Sequence, residues 1–152
     1  MKIIDELNYL LEELDSNFLE EHKLSFVFKM SGKDEFHFGF YNEENETVTD
    51  FGIFDGEIIS REEEESRSKS SEINEIDKES IKNFEKLQKK INKKTTKLDL
   101  MKKIYYLSNN EEPIWKVTFI DNTFSTKHIE FDAKTLEAKS EGVSSLIMSD
   151  SN

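Results

Sequence analysis

The sequence predicts an α+β protein in which an antiparallel meander and a hairpin pack with an N-terminal helix and a long central helix. Three observations predict it. Apolar residues recur with a helical period at the start of the chain, the period changes to two from Leu24, and both patterns return in that order after a Ser/Glu-rich interruption. A length of 152 residues suits one core, so a single domain is expected over 1–148, with a frayed tail from 144 to 152.

Ile3, Ile4, Leu7, Leu10, Leu11 and Leu14 share one side of the opening segment, opposite Asp5, Glu6, Glu12 and Glu13, which makes it an amphipathic helix. Phe18 and Leu19 can extend it beyond Asp15-Ser16-Asn17. Leu24, Phe26, Phe28 and Met30 then alternate with Ser25, Val27 and Lys29. Ser31-Gly32-Lys33-Asp34 supplies a turn before Phe36, Phe38 and Phe40 resume the alternation, so a hairpin is expected with all five phenylalanines on one buried face. A polar turn from Asn42 to Glu46 leads to a third strand over about 47–54.

Residues 60–71 contain only Ser, Arg, Lys and Glu, including Glu62-Glu63-Glu64-Glu65, and cannot offset their ordering entropy by burial. A mobile acidic loop is expected there. Ile73, Ile76, Phe84, Leu87, Ile91, Leu98, Met101, Ile104 and Tyr105 next read as the apolar stripe of a long helix. Unbroken from Asp77 to Leu107 it would reach about 45 Å at roughly 1.5 Å per residue, longer than the diameter of about 38 Å expected for this chain length. It should therefore project or break, with Lys94-Thr95-Thr96 as the weakest point, and a projecting helix would offer a dimer surface. Trp115, Val117 and Phe119 form one later strand, and Ile129 and Phe131 are the inward positions of another. The whole order reads as two copies of an α-β-β unit.

Charge and motif content narrow the function classes. Residues 1–72 carry 7 basic and 20 acidic groups, 73–107 carry 10 and 5, and 108–152 carry 4 and 8. The first part would repel nucleic acid and suits a basic protein partner, with Glu62, Glu63, Glu64 and Glu65 as the candidate partner-binding residues. The alternative is a nucleic-acid surface on the basic helix, using Lys86, Lys89, Lys90, Lys93, Lys94 and Lys97. No catalytic residue is assigned, because there is no cysteine and no Gly-x-Ser-x-Gly elbow. His22, His37 and His128 lack metal-ligand spacing, and the five glycines form no phosphate loop, so neither a metal nor a cofactor is expected. The absence of cysteine suits a reducing compartment. Carboxylates in Met1-Lys2-Ile3-Ile4-Asp5-Glu6 are at odds with a signal peptide, and no apolar run is long enough to span a membrane, so a cytoplasmic location is expected.

With its element order, Phe36-His37-Phe38-Gly39-Phe40-Tyr41-Asn42 and Glu111-Glu112-Pro113-Ile114-Trp115-Lys116-Val117-Thr118-Phe119, the chain resembles the YezG-like immunity proteins of bacterial polymorphic toxin systems. That resemblance implies a small cytoplasmic protein that neutralises a toxin by occlusion. Trp115-Lys116-Val117 through Ile129-Glu130-Phe131-Asp132-Ala133-Lys134-Thr135-Leu136 also looks like a PepSY-type module, whose strand pair ends in a similar turn.

Overall fold

The computed structural model describes residues 2–66, 72–95, 100–121, 123 and 125–145. Helices α1 (Ile3–Glu13) and α2 (Ser16–Glu21) precede strands β1 (Lys23–Met30), β2 (Phe36–Asn42), β3 (Thr47–Phe54) and β4 (Glu57–Glu65). Helices α3 (Lys78–Lys82) and α4 (Phe84–Thr95) then precede β5 (Leu100–Asn109), β6 (Pro113–Asp121), β7 (Ser125–Asp132) and β8 (Ala138–Ser145). The fold is α+β and dominated by its sheet. All eight strands join in the order β4-β3-β2-β1-β5-β6-β7-β8, every pair antiparallel.

Local chemistry sets the breaks. The Asp15 carboxylate accepts from the Phe18 N–H and that of Asp77 from the Ser80 N–H, which caps α2 and α3. Asp55 and Gly56 both have positive φ, the geometry of a tight two-residue hairpin turn between β3 and β4. The buried Glu6 carboxylate holds that turn by accepting the Gly56 N–H at 3.2–3.3 Å.

Helices cover one face of the sheet. Ile3, Leu7 and Leu10 of α1 and Ile81, Phe84, Leu87 and Ile91 of α3 and α4 belong to one buried cluster with Phe38, Ile53, Leu107, Trp115 and Phe131. The cluster crosses the β1–β5 seam. Phe84 lies against Phe36, Tyr105 and Trp115, and the Trp115 indole N–H donates to the Ser80 carbonyl at 2.9 Å.

Four expectations are corrected. Residues 60–65 are not a loop but most of edge strand β4, paired with β3 in one register from Thr47↔Glu65 to Gly52↔Ser60 and, after a one-residue shift, from Ile53↔Ile58 to Phe54↔Glu57. Because every β4 residue except the half-buried Ser60 is exposed, its order comes from the backbone ladder and not from burial. Residues 67–71 lie outside the described residues. The expected long helix is two shorter ones, α3 and α4, separated at Asn83, with Ile73 and Ile76 in the non-helical stretch before them; α4 ends at Thr95, and the chain returns as central strand β5. Tyr105 and Leu107 face the core while Ile104 and Tyr106 face the other way, so what looked like a helical stripe is strand alternation there; Leu98 lies outside the described residues. The stripe that could have served a dimer is buried on the sheet from Ile81 to Ile91.

Phe26 and Phe28 are not on the core face. Strand β1 changes register between Leu24, opposite Phe40, and Phe26, opposite Gly39. This bulge puts Leu24 and Val27 in the core and moves Phe26, Phe28 and Met30 to the sheet's other side. Finally, each half has four strands where three and two were expected, and β8 takes residues 144 and 145 of the anticipated frayed tail. Residues 146–152 lie outside the described ones.

Candidate functional site

The sheet face opposite the helices carries the site. Strand alternation and the bulge in β1 line up Glu62, Asp50, Gly39, Phe26 and Ser108 across five neighbouring strands. In the adjacent row His37 pairs with Phe28 and Phe28 with Tyr106. The rings of Phe26 and Tyr106 stack at 5.6 Å with 15° between planes. They line a groove of about 360 Å³ together with Glu62, Glu64 and Glu65 of β4 and with Ile73.

Gly39 makes that aromatic lining possible. A Cβ on it would lie 1.9 Å from Cε2 of Phe26, so the ring rests directly on the β2 backbone. The stretch after residue 72 is fastened over the sheet's end. The Asn74 N–H donates to the Asn109 carbonyl at 2.9 Å, Nδ2 of Asn109 donates to the Glu75 carbonyl at 3.1 Å, and the Ile76 N–H donates to the Leu24 carbonyl at 2.9 Å. These bonds keep Ile73 buried at the rim.

Asp50 links the groove to a histidine. Nδ1 of His37 lies 3.1 Å from both carboxylate oxygens of Asp50, and Nε2 lies 3.8 Å from Glu35. The hydrogen bond to Asp50 is the main reason that the His37 pKa is raised above its ordinary value, against the opposing effect of partial burial. His128, on the same face in β7, goes the other way. Its pKa is lowered, by partial burial first and by the Lys116 charge second.

Of the four glutamates expected to bind a partner, Glu62 and Glu64 share the groove's face with Asp50, and Glu65, the last residue of β4, borders the groove. Strand alternation turns the Glu63 and Glu65 side chains to the opposite side, in register with the core-facing Thr49 and with Thr47. Among the described residues none of the four makes a salt bridge with a lysine of α4, which belongs to the helical layer. Of those lysines, Lys86, Lys89 and Lys93 are exposed. Lys90 is engaged with the fold: its ammonium donates to the Leu136 carbonyl at 2.6 Å and sits 5.5 Å from the centre of the Phe131 ring. Lys97 and the Lys94 side chain lie outside what the structure describes. Reasoning from sequence missed Phe26 and Tyr106 as surface residues. The available signal was Gly39, an interior strand glycine that marks a close approach.

Among the described residues no helix is long and apolar enough to cross a membrane, and no three His, Asp or Glu side chains are grouped so as to hold a metal ion. No protein-family model matches the chain, and a search of curated proteins finds no match either. Among solved structures the chain is similar to a protein of Clostridium difficile 630 described as a "putative lipoprotein", with a TM-score of 0.63 and 11% identity over 95% of this chain and 93% of that one. At that identity the likeness concerns the fold alone.

Proposed function

We propose that the protein is a non-catalytic acidic binding module that occludes a basic protein partner, in the manner of an immunity protein, and that it does so in the cytoplasm. The observation that carries this reading is the groove on the face opposite the described helices, which Asp50, Glu62 and Glu64 line together with the Phe26–Tyr106 stack. Carboxylates at a rim speed the encounter with a cation, and an aromatic floor holds what arrives by desolvation and cation–π attraction. The resemblance of Phe36 to Asn42 and of Glu111 to Phe119 to YezG-like immunity proteins points the same way. The nucleic-acid alternative on α4 has less to support it, because Lys90 is committed to Leu136 and Phe131.

Capture from a lysate of the source cell, repeated with purified components, tests the proposal. A basic protein retained by the wild type, released as salt rises, and lost with the double reversal Glu62→Lys and Glu64→Lys is the expected result. A partner indifferent to salt and to both reversals would sink the reading. Retention of nucleic acid that is abolished by Lys89→Glu with Lys93→Glu would replace it with the α4 alternative.

A further inference from the structure

Strand β4 closes one side of the groove and is also an edge of the sheet, since among the described residues no strand pairs with its outer side. The Ser66 N–H donates to the Glu46 carbonyl at 2.8 Å, which sets the phase of the β3–β4 ladder. Glu64 and Glu62 share that phase and direct their backbone groups toward β3. Arg61, Glu63 and Glu65 therefore present N–H and C=O outward.

We propose that this edge takes an extended basic segment of the partner as an added strand, its alternate side chains reaching over β4 into the groove. The inference rests on the acidic-module reading above and specifies how the partner is gripped. Two independent features meet here: a row of outward backbone groups, and a groove beside it that receives side chains at the two-residue repeat of a strand. Charge selects the occupant. Edge-to-edge pairing with a second copy would lay two glutamate rows along one seam, whereas lysine or arginine side chains would meet Glu62, Glu64 and Asp50. The opposite edge, β8, alternates Lys139 with Glu141 and has no such preference.

A peptide of about eight residues alternating lysine and threonine, long enough to match a typical strand, is a suitable probe of the full chain. On binding at low salt, the amides of Arg61, Glu63 and Glu65 should exchange more slowly, while those of Glu62 and Glu64 change little. Glu63→Pro removes one outward N–H at a position where an edge strand tolerates proline, and should weaken peptide binding about tenfold or more. Glu63→Gln removes the same charge but keeps the N–H, and should cost less than about threefold. Near-UV circular dichroism of both variants checks that the fold is kept.

If the peptide binds with no protection of the three amides and equally to both variants, strand addition is wrong and acidic docking survives. No binding of the peptide overturns strand addition as well, and acidic docking falls with it only if folded basic proteins also fail to bind. The same amide protection appearing with protein concentration alone, in the absence of peptide, would assign the edge to a second copy and overturn the basic-segment proposal.

Discussion

The two halves of the molecule run through one element order, a helix pair and then a four-stranded meander, yet they carry opposite charge. Residues 1–77 hold 7 basic and 22 acidic groups, while 78–152 hold 14 and 11. The core does not register this difference. Phe38 and Val27 from one half, and Leu107, Trp115 and Phe131 from the other, are all fully buried in one cross-strand row on the helical side. The difference lies on the other face, where the first half gathers Asp50, Glu62 and Glu64 and the second presents Lys116 and His128. Burial dictates the shared architecture, and the free face is left to diverge, which is where a binding function would sit.

The largest expected effects probe whether the halves are one cooperative unit. Phe38→Ala and Trp115→Ala should each cost about 3–5 kcal/mol, the usual range for emptying a large buried aromatic site. Because the core cluster crosses the β1–β5 seam, both variants should lower a single urea transition without splitting it. Two separate transitions in either variant would show that the halves unfold independently. A cost below about 1 kcal/mol for Phe38→Ala would place its ring outside the core, contrary to its complete burial.

Core positions were the legible part of the sequence, because burial enforces period. Ile3, Leu7 and Leu10, then Phe36, Phe38 and Phe40, then Trp115, Val117 and Phe119 are all buried as their spacing predicts. Legibility failed where backbone geometry outweighed side-chain pattern. A one-residue bulge at Ser25 reversed the faces of Phe26 and Phe28, and no periodicity reports such an insertion in advance. Strand β4 has no buried side chain, so hydropathy could not reveal it; the Asp55-Gly56 turn that starts it was the overlooked cue. Of the site, the acidic residues were visible in the sequence, but their division into groove-facing Glu62 and Glu64 and oppositely turned Glu63 and Glu65 depends on strand β4, which hydropathy does not report.

Glu6 tests how the acidic half is held to its helix. Its buried carboxylate joins α1 to the β3–β4 turn through the Gly56 N–H. Glu6→Ala should cost about 1–3 kcal/mol by leaving that donor unsatisfied. Amide exchange near Gly56 should quicken while exchange in β6 and β7 stays unchanged. Equal quickening in both halves would mean that the turn contact supports the whole fold. Gly39→Ala should act on the groove more than on the core, since the added Cβ meets the half-buried Phe26 ring and not the helical layer. A stability loss of about 1–3 kcal/mol is expected, together with loss of the Phe26–Tyr106 stack, seen as shifted ring signals in NMR spectra.

The smallest effect is the sharpest readout of the charge difference, because the two histidines on the open face sense opposite surroundings. In an NMR titration His37 should have its midpoint above about 6.5 and His128 below it, the ordinary value lying between them. Asp50→Asn should bring the His37 midpoint down, since the Asp50 hydrogen bond is the largest cause of its rise, and leave His128 unmoved. The stability signs then differ. A raised folded-state pKa means that His37 stabilises the fold below its unfolded pKa and that this contribution is lost as pH rises through the raised value. A lowered one means that the His128 contribution is in place above the unfolded pKa and is lost as pH falls through the lowered value. Urea unfolding of His37→Gln and His128→Gln across about pH 5 to 8 should therefore give difference curves of opposite slope. Binding of a basic partner adds a second readout, because protonated His37 offsets the Asp50 charge at the groove. Affinity should fall as pH drops through the His37 midpoint, and this fall should vanish in His37→Gln. A pH dependence that survives that substitution would assign the titrating group elsewhere and detach His37 from the groove's electrostatics.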